Sequence, residues 1–330
     1  MEGITLQRSK EQRRKALEVL EEAKKLNRPV VFLKRGQSLE QKPKRRNNPN
    51  KKAKCVTRKT MKNLIITVSG GRSSAMMARH IQVSEKYKDY NKLFVFCNTG
   101  MERPETIDFL KNIEKHWNIP LVKIEGVYSS EMGVGVSYKL VDWDNLDMTA
   151  KPFENAIAHK NKGAFNGMPN LEAPFCSEML KTLPAKKIAD DIFGVNSYLK
   201  AIGFRKEDMP KRISWAEIKE DKIRIFPLLT DFQFPIGQME LNKFWDSQPF
   251  KLEIHNKYGN CELCWKKSDA NLIDVIRKGT RFIDWYRKME GKYGNTSFRG
   301  HKSIDDLVEL SKLPFTGELN FEENKCVCNF

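Results

Sequence analysis

The chain predicts an α/β fold in which a parallel sheet carries helices on both of its faces. Three observations support that expectation. Short runs rich in β-branched or aromatic residues, such as Leu64-Ile65-Ile66-Thr67-Val68 and Leu93 to Cys97, alternate with segments of helical periodicity. These runs are apolar nearly throughout, as strands covered on both faces require. Each of the first two ends in a glycine-containing turn, at the carboxyl end of the strand, where ligands sit on such sheets.

In chain order, the spacing of Leu17, Leu20 and Ala23 predicts a helix from about Ser9 to Leu26, aided by the i,i+4 pairs Glu11–Lys15 and Glu21–Lys25. Asn27-Arg28-Pro29 ends it, because the residue before proline is pushed out of the helical region. After the apolar run Val30 to Leu33, Lys34 to Lys62 is polar, basic and almost free of large apolar residues. Such a segment cannot bury enough surface to order itself and reads as a flexible, polyanion-binding arm or linker. Residues 1–63 hold 20 Lys and Arg against 6 Glu, a net of +14 out of the chain's formal +17. The remainder, 39 against 36, is close to neutral, so the basicity belongs to the arm. A nucleic acid, tRNA or DNA, is the partner such an arm would neutralise; a merely solvated tail is the other reading.

The core then reads as strand 64–68, a Gly turn, and a helix through Met76, Met77 and His80. Leu93 to Cys97 is a second strand, followed by Asn-Thr-Gly and a helix through Ile107, Leu110 and Ile113. Pro120 to Ile124 is a third strand, and Tyr128 to Asn170 has few periodic signals and reads as a substrate-side loop region. Ser197 to Ile202 and Ile223 to Leu228 complete the strands, and Ile236 to Trp245 and Asn271 to Met289 are expected helices. No apolar stretch approaches the roughly 20 residues of a membrane span, and the charged N-terminus has no apolar signal-like segment. A cytoplasmic location is expected, and seven cysteines, an odd number, do not suggest a secreted disulfide framework.

Strand, then Ser69-Gly70-Gly71-Arg72-Ser73-Ser74, then helix is an anion-holding device. The glycines let the backbone approach closely, successive N–H groups and the helix N-terminus point at the anion, and the serine hydroxyls add donors. The Walker spacing is absent. This loop resembles the PP-loop of the adenine-nucleotide alpha-hydrolase superfamily, which includes the phosphoadenosine phosphosulfate (PAPS) reductases. Four further segments follow in that family's order. Phe96 to Thr106 is similar to its NTG-x-E-x-PET segment, and Cys176-Ser177-Glu178-Met179-Leu180-Lys181, with Pro184, to its Cys-x-x-x-(Leu/Arg)-Lys segment. Ile202 to Glu207 with Arg212 resembles its G-x-R-x-(D/E)…R loop, and Ile225 to Leu228 followed by Phe244-Trp245 its PL…W stretch.

The resemblance implies a Rossmann-like PP-loop fold and an adenine nucleotide, ATP or PAPS. It implies that Ser69 to Ser74, Thr99 and Gly100 shape the nucleotide pocket, and that Lys181, Arg205 and Arg212 meet phosphate or sulfate oxygens. The chain then divides into a basic arm, 1–62, a nucleotide-binding domain, 63–250, and a C-terminal helical module, 251–330. Two features depart from the family pattern. ATP-splitting members commonly carry Ser-Gly-Gly-Lys-Asp-Ser, with the acidic residue near Mg²⁺; here Arg72-Ser73 replaces that pair. PAPS reductases end in a Glu-Cys-Gly-x-His motif, whereas this chain ends Lys325-Cys326-Val327-Cys328-Asn329-Phe330.

Cys261-Glu262-Leu263-Cys264 is a C-x-x-C, and Cys326 and Cys328 offer two more sulfurs. Four thiolates suit a 4Fe–4S cluster or Zn²⁺; a redox pair without metal is the third reading. Cys176 lies just before an expected helix, near Lys181, where the helix dipole and the ammonium favour a reactive thiol, a persulfide carrier or a cluster ligand; a plain buried cysteine is the other reading. Cys97 reads as core and Cys55 as incidental. The leading expectation is an enzyme that adenylylates an oxygen with ATP and transfers sulfur to a nucleic acid, helped by a sulfur or thiol donor protein. A reductase of PAPS or adenylyl sulfate, and a non-catalytic nucleotide- or nucleic-acid-binding module, are the alternatives.

Overall fold

Strand β1 (Lys62–Thr67) lies near the centre of a six-stranded sheet with β2 (Tyr90–Asn98), β3 (Leu121–Tyr128), β4 (Val136–Val141), β5 (Leu199–Ala201) and β6 (Arg224–Ile225). The structure, a computed structural model, describes residues 62–131, 134–160, 167–170, 173–255, 257–293 and 302–314. The expected N-terminal helix, the basic arm up to residue 61, Cys55, Cys326 and Cys328 lie outside the described residues. The strand order is β4-β3-β2-β1-β5-β6, with β4 antiparallel to β3 and every other pairing parallel. The chain steps outward from β1 through β2 and β3, then returns to the other side of β1 with β5. That reversal lies at the carboxyl ends of β1 and β5, the place where open parallel sheets bind ligands.

Helices α1 (Arg72–Val83), α2 (Pro104–Trp117) and α7 (Gln238–Asp246) cover one face. Leu64, Ile66 and Val68 pack there against Met77, Ile81, Phe109, Ile113, Leu241 and Trp245. On the other face Ile65, Val95, Cys97 and Ile124 meet Ile188 and Ala189 of α4 (Leu183–Phe193). Successive strand residues point to opposite faces, so a run such as Leu64-Ile65-Ile66 must be apolar at every position to serve both. A separate core joins α3 (Lys151–Ala158) to α8 (Asp269–Arg277), α9 (Ile283–Tyr293) and α10 (Ile304–Lys312) through Phe153, Met179, Trp265, Leu272, Tyr286 and Leu307. Short α5 (Trp215–Glu220) and α6 (Pro227–Thr230) lie between β5 and α7.

Several elements differ from the sequence expectation. The segment 128–170 holds β4 and α3 rather than a long loop. β4 is an edge strand with intermediate burial, and α3 spans only two turns, so neither leaves a long periodic pattern. The expected strand Ile223–Leu228 shrinks to two residues, because Pro227 removes a ladder donor and instead opens α6. The expected helix over Asn271–Met289 breaks in two where Gly279 adopts φ +86°, a left-handed stop that apolar periodicity alone does not reveal. Among the described residues, no helix is long and apolar enough to cross a membrane.

Asp231, 2% exposed at its side chain, braces the end of α1. It accepts from Tyr87 Oη at 2.5 Å, Lys86 Nζ at 2.5 Å and Thr230 Oγ1 at 2.8 Å, and lies 3.2 Å from His80 Nε2. Burial alone would raise its pKa, but these hydrogen bonds outweigh it and hold the carboxyl well below the usual range. The stabilisation is therefore complete above the unfolded-state value of about 3.9 and fades as the pH falls below it. Asp231→Asn is expected to cost about 2 kcal/mol at pH 7, and to flatten the loss of stability below about pH 4. Urea denaturation across a pH series checks both outcomes.

Candidate functional site

The turn after β1 lies at this reversal of strand order. Gly70 has φ +76°, and a Cβ there would lie 2.3 Å from Thr106 Cγ2, so the turn closes against α2 only with glycine. Gly71 is the N-cap of α1, and no side chain caps it. Ser74 Oγ donates to Gly71 O at 2.9 Å, accepts from Ser69 N–H at 3.2 Å, and lies 3.0 Å from Ser69 Oγ. These bonds fold residues 69–74 around the first turn of α1, whose N–H groups make up the positive end of the helix. On the other side, Gly203, just past β5, approaches the backbone of Ser73 and Ser74.

Arginines gather at this mouth. Arg72 Nη1 donates to Asn242 Oδ1 at 3.0 Å, and Arg205 Nη1 to Gln238 Oε1 at 2.8 Å. The guanidinium of Arg72 is held below its ordinary pKa by burial and by the like charge of Arg205. Asp246 acts on Arg72 in the opposite direction, and Glu207 lies 3.8 Å from Arg205 Nε, so the two cations share this region with two carboxylates. Arg212 is engaged differently, pairing with Asp208 at 2.8 Å and lying over the Phe204 ring at 4.2 Å. Trp245 Nε1 donates to Arg72 O at 3.3 Å, so the tryptophan of the PL…W stretch braces the first residue of α1.

Thr99 and Gly100 follow β2. Thr99 donates to Glu102 from both its N–H, at 3.0 Å, and its hydroxyl, at 2.8 Å, and faces Cys261 Sγ at 3.7 Å. Glu102 is fully buried, and burial raises its pKa despite the charge of Lys181 and the bonds from Thr99. Gly100 O accepts the Ala150 N–H at 3.1 Å, which ties the turn to the start of α3.

The cysteines form the other half of the site. Cys176, Cys261 and Cys264 line one cavity of about 30 Å³, with Lys181, Thr99, Trp265 and Tyr286. That space suits an ion or a water rather than a nucleotide. Tyr286 beneath it donates to Leu263 O at 3.0 Å. Its hydroxyl pKa is pushed well above the ordinary value, by burial first and then by the charges of Cys264, Cys261 and Cys176. Cys176 thus joins the C-x-x-C from 85 residues away, a convergence sequence spacing could not reveal. The three sulfurs suit a soft metal or an iron–sulfur cluster in kind. Among the described residues, no group of three or more His, Cys, Asp or Glu stands ready to hold an ion. Cys97 sits apart from them, 5% exposed, its thiol pushed up to about 12 by burial, as a core residue should be.

Several participants carry no motif. Asn260 Nδ2 donates to Ser69 O at 2.8 Å, and Lys267, fully buried, donates from Nζ to Cys261 O at 3.1 Å. Arg281 Nη2 donates to Glu102 O at 2.7 Å. An amide beside a C-x-x-C and a lysine three residues after it were the only available hints. No family model matches the chain. The uncharacterized nin region protein ORF290 of Escherichia phage lambda is 31% identical over 265 residues, spanning 74% of this chain and 84% of that protein. Gly70→Ala is expected to destabilise the fold by about 3 kcal/mol, against about 1 kcal/mol for Gly135→Ala, where φ is also positive but the space is open. Chemical denaturation of the two variants measures the difference.

Proposed function

We propose that this chain, a member of the family of the phage lambda nin region protein ORF290, is a PP-loop enzyme that binds an adenine nucleotide. The reaction we assign is ATP-dependent adenylylation followed by sulfur transfer to a nucleic acid. One observation carries the reading: residues 69–74 fold around the uncapped first turn of α1, at the reversal of strand order between β1 and β5, and Asn260, the neighbour of Cys261 in the three-cysteine cavity, donates to Ser69 O.

In this reading the N–H groups of the 69–74 loop and the start of α1 hold the nucleotide phosphates. Arg72 and Arg205 neutralise phosphate charge, and an anion between them offsets their mutual repulsion. An oxygen of the acceptor attacks the α-phosphate and pyrophosphate leaves; a sulfur nucleophile then displaces AMP together with that oxygen. Cys176, Cys261 and Cys264 line the cavity where sulfur would be relayed, and Lys181 adds positive charge to it. A metal or iron–sulfur group, if bound, would be held by these three cysteines, with Cys326 or Cys328 as further candidates, and would supply sulfur binding or electron transfer. The basic residues 34–62 would hold the acceptor's phosphates.

A second reading, reduction of PAPS or adenylyl sulfate by a cysteine and a thiol donor, is favoured by the Arg72–Arg205 pair, which could meet a second anionic group. The products separate the two: pyrophosphate from ATP supports transfer, whereas sulfite from PAPS supports reduction. Equilibrium dialysis is expected to show ATP binding that Arg72→Ala and Arg205→Ala each weaken about tenfold. No affinity for either nucleotide would overturn both readings. Anaerobic purification with an absorption spectrum and metal analysis tests the cysteine cavity. Iron with sulfide that is lost in Cys176→Ser would place that residue among cluster ligands, whereas a metal-free protein would leave the three cysteines as relay thiols.

A further inference from the structure

Residues 260–262 stand between the two halves of the site and are bonded to both. Asn260 O accepts the Arg103 N–H at 2.9 Å, Glu262 N–H donates to Met101 O at 2.9 Å, and Cys261 forms an antiparallel bridge with Glu102. The segment is thus laid as a short strand along the turn after β2. Arg281, bonded to Glu102 O and 3.4 Å from Glu262, clamps the pair from outside. From this strand one side chain crosses to the phosphate loop: the Asn260 amide, donating to Ser69 O at 2.8 Å. The contact is close, since a Cβ on Gly71 would come within 3.3 Å of the same amide nitrogen. The next residue along the chain is Cys261, whose carbonyl holds buried Lys267 and whose sulfur faces Thr99.

We infer that Asn260 is a positioning residue that couples the phosphate loop to the cysteine cavity, so that filling either half of the site holds the other in place. The inference rests on the reading of residues 69–74 as a phosphate loop. The Ser69 carbonyl can keep its direction only while the Asn260 amide meets it, and the backbone of 260–262 cannot shift without moving both Asn260 and Cys261. An anion that fixes residues 69–74 therefore restrains Cys261, and a group bound to Cys261 restrains Ser69. Coupling of this kind is reciprocal by thermodynamic necessity.

The test uses the full chain under reducing conditions, with iodoacetamide as the thiol probe and peptide mass spectrometry to read each cysteine separately. Saturating ATP is expected to slow alkylation of Cys261 about fivefold or more in the wild type. In Asn260→Ala, at ATP concentrations that saturate it by equilibrium dialysis, the slowing is expected to disappear. Asn260→Asp, which keeps the size but cannot donate to the Ser69 carbonyl, should behave the same way. Wild-type alkylation indifferent to bound ATP would overturn the inference. So would protection that persists in the variants, which would mean that the nucleotide shields the thiol directly. Absence of ATP binding by the untreated wild type is a separate result, and removes the phosphate-loop reading itself.

Discussion

The arrangement hangs on how β1 ends. Its last residues run between β2 and β5, and the chain must leave the sheet and begin α1 within the four residues Val68 to Gly71. Gly70 makes that possible by adopting a left-handed turn in space too small for any side chain, against Thr106 of α2. Once the turn is made, α1 starts at the reversal of strand order, with the N–H groups of its first turn free of intrahelical partners. Trp245 bonds the Arg72 carbonyl, Asp231 ties down the far end of the same helix, and the loop after β5 packs on Ser73 and Ser74. A helix held at both ends has little freedom to reorganise when it meets an anion, which is the condition for electrostatic stabilisation without a reorganisation cost.

The C-terminal helices are usefully seen as the third wall of the site rather than as an appendage. Their core is shared with Met101, Phe153, Met179 and Leu180 from the sheet-bearing part of the chain. That shared core seats the C-x-x-C against the turn after β2 and brings it to Cys176. Burial of apolar surface thereby does for three distant sulfurs what no local sequence feature could do, because it fixes their separation. Polar groups trapped in the same seam are met by specific partners: Glu102 by Thr99, Lys267 by the Cys261 carbonyl, Tyr286 by Leu263. Each would be costly to bury without such a partner.

Charge is arranged on two scales. The large positive excess lies in residues 1–63, while the rest of the chain is near neutral. Within that neutral part, two arginines stand close enough that one depresses the pKa of the other. The first pattern favours any polyanion and acts over a Debye length of about 8 Å at physiological salt. The second is local and partly buried, and each guanidinium is held by an amide oxygen, Arg72 by Asn242 and Arg205 by Gln238.

The sequence alone determined the alternation of strands and helices, the glycine turn after β1 and the candidate anion loop, because these depend on neighbours within a few residues: periodicity, β-branching and the conformational reach of glycine. Strand β4, the break at Gly279 and the shortening of β6 were hidden, since edge burial and a single left-handed residue leave no periodic trace. Only the tertiary structure decided that Cys176 belongs with Cys261 and Cys264, that Thr99 faces Glu102 and a thiol, that Arg205 stands beside Arg72, and that Asn260 reaches Ser69. Those contacts join residues up to about 190 positions apart, and such distances are set by packing of whole elements around shared cores, which no local pattern encodes.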